Sequence, residues 1–546
     1  MTHDRSGLDP EVLIAGAGPT GLLLALWLTR LGVRVQVVDP KSGPTTETRA
    51  IAVQARTLEF YDQLGLGREA LSRGRHAAGL RLWTRGRARA GVDLRSAGAG
   101  LTAHPDIFIL TQDQNEALLL GQLEALGGGV EWGTALTGLT QDVGGVTATL
   151  EGGGEIRTLR TAYLAGCDGA GSVVRRSLGV PLSGGTYPQR FYVADVSASG
   201  PLSGDRVNVS LDDDQFLALF PMPGLDRWRV VGQVPAELGE AVTFETVRPQ
   251  IDSQRVAQVS AVQWFSTYRV HHRVADSFQV GRAFLLGDAA HVHSPVGGQG
   301  MNTGLGDAAN LVWKLAQTLC GAAPGLLATY GPERRPFAVS LVNTTDRVFS
   351  GVVDPSPLAR VVRTRVIPAL LGLFSRPAAV RRWAFGRLSQ LLIHYPHSPL
   401  SVGRAGRVRG GDRLPWVPLA GGSNLGALQS LRWQVHVYGT PSPDLLTWCA
   451  VRELPLHAFA FTAAARRAGL VRNACCLVRP DGYVGLALSR FNLQEAEAYA
   501  ARWLPASGVS PRSRRRGGWS SGAPARWSRR GPCPVPGRCW RRSAAA

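Results

Sequence analysis

Residues 11–39 read EVLIAGAGPTGLLLALWLTRLGVRVQVVD, a complete strand, turn, helix and strand unit. Glu11 to Ala15 forms an apolar strand, Gly16-Ala17-Gly18-Pro19-Thr20-Gly21 a glycine-rich turn, and Gly21 to about Leu31 an apolar helix. A second strand, Val33 to Val38, ends at Asp39. Each residue type has a physical reason. Gly16 permits the tight turn, Gly18 lets backbone approach a pyrophosphate, and Gly21 allows the helix to pack closely on the strand. Pro19 and Thr20 sit at the helix N-terminus, whose N–H groups suit phosphates. Asp39, eighteen residues after Gly21, can accept from ribose hydroxyls. The unit predicts dinucleotide binding without separating FAD from NAD.

Two further glycine–acid turns follow. Ala283 to Leu286 is a short buried strand running into Gly287-Asp288, and a loop containing Pro295, Gly297, Gly298 and Gly300 leads to a helix from about Met301 through Trp313. Asp288 is placed to hold a second polyol or ribose hydroxyl, and backbone N–H groups near Gly300, Met301 and Asn302 can stabilise negative charge on a reduced ring carbonyl. Leu164 to Cys167 leads to Asp168-Gly169, with Ser172 and Arg175 opening another helix. Between these motifs, Gln54 to Glu59 opens a helix, and Arg49 and Arg56 are expected on the nucleotide side, where guanidinium forks suit phosphates.

The composition, 44% hydrophobic and 18% charged over 546 residues, is that of a large folded protein of several domains. The apolar stretch Gly21 to Leu28 is too short for a membrane span, so a soluble cytoplasmic protein is expected, with no membrane partner. Seven scattered cysteines without a CxxC argue against a disulfide framework and a zinc site, and no metal is expected. Half of the net charge of +20 lies in residues 506–546, which hold ten arginines and no Lys, Asp or Glu. That tail reads as disordered. It suits either an RNA-binding arm or a GC-rich gene read out of frame, and nucleic acid is the remote reading.

Together the three motifs resemble the FAD-dependent aromatic hydroxylases, the single-component class A flavoprotein monooxygenases of the para-hydroxybenzoate hydroxylase fold. GxGxxG is Gly16, Gly18 and Gly21; the DG motif is Asp168, Gly169, Ser172 and Arg175; the GD motif is Gly287, Asp288, Pro295, Gly298 and Gly300. Tyr330 to Pro336 resembles the segment after the GD helix, and Gln112 resembles a flavin-contacting glutamine, although the family's preceding proline is Thr111 here. Gly410 to Pro415 and Leu477 to Val484 resemble the ends of a thioredoxin-like domain in the phenol and polyketide hydroxylase branch.

The resemblance implies an α/β fold in which a Rossmann-like FAD-binding domain (1–180 and 279–345) is interleaved with a β-sheet substrate domain (181–278). A helical connector (346–400), a thioredoxin-like C-terminal domain (401–505, closed by a helix from Gln494 to Leu504) and the tail would follow. It implies that NADPH or NADH reduces FAD and that a flavin C4a-hydroperoxide then hydroxylates a phenolic or polycyclic aromatic substrate with O2. Arg49 would lie beside the pyrophosphate, Pro295 along the ring, and Asp168 and Arg175 beside FAD and the transient nicotinamide. Members often form homodimers. A dehydrogenase or epoxidase acting on a non-aromatic substrate is the alternative. Trp264, Phe265, Tyr268, His271 and His272 share a strand of the substrate sheet, but none is assigned as a substrate base, so the catalytic residues stay unknown.

Overall fold

The computed structural model describes residues 10–46, 50–212, 215–235, 237–294, 297–353, 356, 358, 361–367 and 377–505. Arg49, Pro295 and the tail 506–546 lie outside the described residues. The strand Val12–Ala15, buried at all four positions, pairs in parallel with Val35–Asp39 on one side and Tyr163–Gly166 on the other. Tyr163–Gly166 pairs in parallel with Ala283–Leu285, and the short edges Gln279–Val280 and Glu131–Trp132 complete a six-stranded sheet. The helix Pro19–Arg30 starts two residues earlier than expected because a proline's fixed φ suits the first turn. Gly21 to Leu28 are all buried. A helix apolar all round must be packed all round, and this one lies against the helices Gln112–Ala125 and Gly300–Leu319.

The second sheet has eight strands. Leu182–Ser199 and Gln258–Ala275 pair antiparallel along almost their whole lengths, and Arg206–Asp212, Gln215–Pro221 and Arg227–Gln233 extend the sheet. Gly79–Thr84 and Arg87–Asp93 add the far edge and His291–Val292 the near one. The sheet expected within 181–278 therefore recruits strands from both flanking stretches. The helix Tyr330–Val353 likewise runs through the expected boundary at 345.

In the C-terminal part, Gln434–Tyr438 and Leu456–Phe459 are parallel and joined through the helix Pro443–Val451, while Cys475–Val478 and Val484–Leu488 form an antiparallel hairpin beside them. The helix Leu493–Trp503 follows. Cys475 and Cys476 are buried strand residues, in accord with the sequence.

What docks this part on the body is a buried ion network. Residues 302–317 of the helix Gly300–Leu319 are buried, and Thr303, Asp307, Asn310, Lys314 and Gln317 recur at spacings of three and four, so one polar stripe runs along it. Glu333 receives Lys314 Nζ at 2.8 Å, Asn310 Nδ2 at 2.6 Å, Ser398 Oγ at 2.6 Å and Arg479 Nη1 and Nη2 at 2.7 and 3.0 Å. Arg479 also donates to Asp481, as does Trp313 Nε1. Arg56, expected on the nucleotide side, instead turns to Glu59 Oε2 at 2.8 Å and the Asp481 carbonyl at 2.6 Å. The reason is electrostatic: this fully buried cation has a buried carboxylate one turn away on its own helix. Burial alone would raise the Glu59 carboxyl, but Arg413 and Arg56 hold it at about 2.

Two outcomes follow from uncompensated buried charge. Glu333→Gln leaves Lys314 and Arg479 short of a counter-charge and should cost about 3–5 kcal/mol of stability in denaturant unfolding. Glu59, depressed from its ordinary 4.5 to about 2, contributes its stability in full above pH 4.5 and loses it as pH falls toward 2. Arg413→Leu should therefore move the acid-unfolding midpoint to higher pH.

Candidate functional site

Three neighbouring parallel strands, Ala283–Leu285, Tyr163–Gly166 and Val12–Ala15, end at the same edge of the sheet, and each runs into one of the three glycine–acid turns. Motifs separated by more than 100 residues in sequence are thereby brought side by side. The carboxyl edge of such a sheet is where open α/β folds bind ligands.

The glycines of the first turn have distinct duties. Gly16 has φ +103°, and a Cβ there would lie 2.3 Å from the Cys167 carbonyl oxygen. A Cβ on Gly21 would lie 2.0 Å from the Gly16 oxygen. A Cβ on Gly18, by contrast, would meet nothing within 4 Å. Gly16 and Gly21 are small to satisfy the fold, and Gly18 leaves an open cradle at the N-terminus of the helix Pro19–Arg30. Gly18 is the N-cap, and no side chain caps this helix. Asp39 is buried and its Oδ2 accepts the Ala17 amide at 2.7 Å, so the acid shapes the turn from which it was expected to reach a ribose. Thr20 fills the space between Gly287 and Gly304, where a Cβ would come within 2.9 and 2.3 Å of its hydroxyl oxygen.

Ser172 caps the helix Val173–Ser177, its Oγ accepting the Arg175 amide at 2.9 Å, and Asp168 supports the cap: its Oδ1 accepts the Ser172 hydroxyl at 2.6 Å and its Oδ2 the Val174 amide at 3.1 Å. Gly169 has φ +77°, with open space beside it. Arg175 donates to the Ala289 and Ala170 carbonyls, each at 2.9 Å, and so straps the second turn to the third. Asp288 stands exposed on the 3₁₀ turn Gly287–Ala289.

The helix Gly300–Leu319 again begins without a side-chain cap. Its first amides, at Gly300, Met301 and Asn302, lie outside the helical ladder. The Asn302 side chain is fully engaged: Nδ2 donates to the Ala52 and Gly298 carbonyls at 2.9 and 2.8 Å, and Oδ1 accepts the Gln54 amide and the Thr57 hydroxyl, both at 2.8 Å. Asn302 thus clamps the loop, leaving its backbone amide for a ligand. Gly298, at φ +61°, packs so closely that a Cβ would meet that of Ala52 at 2.7 Å. Met301 accepts Asn115 Nδ2 on its sulfur at 3.3 Å. Gln112 Oε1 accepts the Ala50 amide, and Glu116 Oε2 the Thr45 amide, both at 3.3 Å, so one helix grips both flanks of the segment bearing Arg49.

Sequence reasoning missed Asp307 and His293. Asp307 accepts the Gly287 amide at 3.1 Å, His291 Nε2 at 2.7 Å and Arg334 Nε at 2.6 Å, fixing the third turn to the long helix. The repeated Gly306-Asp307 pair was its signal. His293 donates Nδ1–H to the Ser294 carbonyl at 2.8 Å, while its buried Nε2 and the Ser294 hydroxyl have no partner among the described residues. Burial pulls His293 down to about 4, so the ring is neutral at pH 7. A Cβ on Gly300 would lie 3.9 Å from its ring.

The site fits an FAD: an open cradle at one bare helix N-terminus, a second bare N-terminus across the sheet edge, and orphaned polar atoms beside it. Among the described residues no group of three or more His, Cys, Asp or Glu is placed to hold a metal ion, and no helix is long and apolar enough to cross a membrane. Gly18→Val should keep the melting temperature and weaken FAD retention about tenfold or more, some 1.4 kcal/mol, as read by flavin absorbance after dialysis. Gly21→Ala should instead unfold the body, because its clash is with backbone.

The family described as FAD binding domain matches residues 9–345. The chain is 38% identical over 401 residues to a 6-methylpretetramide 4-monooxygenase of Streptomyces rimosus, covering 72% of this chain and 71% of that one. Its structure superposes on the OxyS anhydrotetracycline hydroxylase of Streptomyces rimosus with a TM-score of 0.75 at 30% identity, over 92% of this chain and all of that one. It also superposes on CabE, an aromatic hydroxylase from angucycline biosynthesis, with a TM-score of 0.72 at 26% identity, over 91% of this chain and 100% of that one. With the three turns gathered at one sheet edge and this likeness along nearly the whole described chain, the protein belongs to the FAD-dependent aromatic hydroxylases, the flavoprotein monooxygenases that carry this FAD-binding domain.

Proposed function

We propose that the substrate is a polycyclic phenolic compound, hydroxylated with NADPH or NADH and O2. One observation carries the reading: the three glycine–acid turns meet at one sheet edge, and the chain passes from the third turn straight into His291–Val292, the edge strand of the eight-stranded sheet. The kinship to enzymes named for tetracycline-type substrates supports a fused-ring compound.

Gly18, Thr20 and Gly21 would hold the pyrophosphate through backbone amides, with Gly16 shaping the turn and Pro19 opening the helix without an N–H of its own, and Asp39 and Gln112 would frame the adenosine end. Asp168, Gly169 and Arg175 would shape the floor, with Gly287 and Asp288 meeting the ribityl chain. Gly298, Gly300, Met301 and Asn302 would seat the ring, with helix amides meeting its developing charge. Arg49 and Pro295 keep the roles that the family pattern implies. When bound, FAD accepts hydride from the nicotinamide and activates O2. Burial pushes the Tyr268 hydroxyl well above its ordinary range, so that it stays protonated into alkaline solution. The C-terminal unit reads as thioredoxin-like, supported by a central run of strands Val484–Leu488, Cys475–Val478, Gln434–Tyr438, Leu456–Phe459, antiparallel except for the last pair, to which Val402–Ala405 adds a further parallel strand beside Val484–Leu488.

The test is NADPH and NADH oxidation by the FAD-loaded protein under labelled O2, with a panel of phenols and aromatic polyketides. The expected outcome is stimulation by a fused-ring phenol and one labelled oxygen in its product. A product oxidised by two electrons without label would favour the dehydrogenase reading.

A further inference from the structure

The eight-stranded sheet has two unlike faces. Tyr192, Ala194, Leu217, Leu219, Trp228 and Val230 pack with the helix Phe244–Ser253 and close one of them. On the other, strand register sets Phe220, Arg229, Asp195 and Trp264 in one row across four strands, and Gln233, Phe191 and Tyr268 in a parallel row. One end of this face packs on the flavin-binding body, and the Phe191 and Tyr268 row lies against Phe349 of the helix Tyr330–Val353. Phe220 packs with Ile51 and Ile109, and Ala52, next to Ile51, is the residue whose carbonyl Asn302 holds.

Arg229 is 1% exposed. Its Nε and Nη2 each donate to one Asp195 carboxylate oxygen at 2.7 Å, and the guanidinium lies 5.6 Å from the centre of the Trp264 ring. Nη1 is buried and has no hydrogen-bond partner among the described residues. A guanidinium carries five N–H donors in a fixed plane. Leaving an N–H₂ of a buried cation unpaired costs more than leaving a neutral donor so. The sheet therefore retains a strong, unpaired donor group beside a flat indole ring, in the row that includes Phe220. Because Asp195 already balances the charge, the pair as a whole is neutral. It favours a neutral, electron-rich acceptor such as a ring ketone or a hydrogen-bonded keto-enol over a free carboxylate.

Resting on the hydroxylase reading above, we propose that Arg229, oriented by Asp195 and walled by Trp264, forms a subsite for a carbonyl oxygen of the fused-ring substrate, so that ketone-bearing ring systems are selected over plain phenols of the same size. Arg229 is the binding group, Asp195 its positioning residue.

The test is binding to the oxidised, FAD-loaded protein, followed by flavin absorbance, and needs no turnover. The probes are 1-hydroxyanthraquinone, which carries ring carbonyls, and 1-anthrol, the same three rings without them. Wild type should bind the ketone about tenfold more tightly, the worth of a charge-assisted hydrogen bond. Arg229→Lys and the neutral double variant Asp195→Asn/Arg229→Gln should bring that ratio close to one while 1-anthrol binding stays within about twofold, with FAD content and melting temperature as controls of folding. The double variant keeps a hydrogen-bonded pair in place should the single one fold poorly. Equal binding of both probes by wild type, no binding of the ketone, or parallel loss of both probes in the variants would overturn the proposal and leave Arg229 a sheet-bracing residue. A failure of labelled oxygen to enter any product would count against the reaction and leave the binding ratio readable.

Discussion

The buried Glu333 carboxylate is the point at which body, long helix and C-terminal unit meet. It takes donors from Lys314 and Asn310 on the helix that begins at the flavin loop, from Ser398, and from both Nη atoms of Arg479 in the hairpin turn of the C-terminal sheet. An isolated ion in such a place would cost several kcal/mol to desolvate. It is tolerated because these partners are themselves satisfied: Arg479 by Asp481, and Lys314 by the Asn310 side-chain oxygen Oδ1 as well. Burial still pulls Lys314 down to about 8. The arrangement is all or nothing, since removing one member exposes the others' desolvation penalty.

That constraint reaches the site through rigid elements. The helix carrying Asn310 and Lys314 also carries Asp307, which holds the Gly287 amide, and Asn302, which clamps the glycine loop to Ala52. Arg334, adjacent to Glu333, binds Asp307 and the Thr303 carbonyl. The N-terminus of the helix Gly300–Leu319 and the third turn are thus held by side-chain hydrogen bonds, leaving the first backbone amides of that helix for a bound ligand. Backbone donors need no reorganisation when charge develops on a bound ring.

Much of this was legible in the sequence. The unit from Glu11 to Asp39 had period, turn glycines and terminal acid in agreement, and the strand ends fell within two residues of expectation. The three turns could be named but their adjacency could not, because parallel pairing of 12–15 with 163–166 and of 163–166 with 283–285 is a long-range fact. Arg56 misled because an arginine near a nucleotide motif suits a phosphate equally well, and its partner Asp481 lies 425 residues away. The polar stripe of the long helix has no counterpart in the local sequence, because its partners Glu333 and Trp433 come from other elements. Strands 79–84 and 87–93 carry no mark of the sheet they join, since edge pairing depends on register with Arg206–Asp212. Arg229 and Asp195 are two charges among many in the sequence, and only register makes them a pair.

The central claim is that the three glycine–acid turns form one FAD site. A crystal structure of the protein with FAD bound tests it most directly. The account predicts the pyrophosphate within about 3 Å of the first-turn amides around Gly18 and Thr20, and the ring between the Gly298–Asn302 loop and the sheet face that bears Arg229. FAD lying away from the carboxyl ends of strands 12–15, 163–166 and 283–285, or with its ring turned from the Gly300–Leu319 helix, would contradict it.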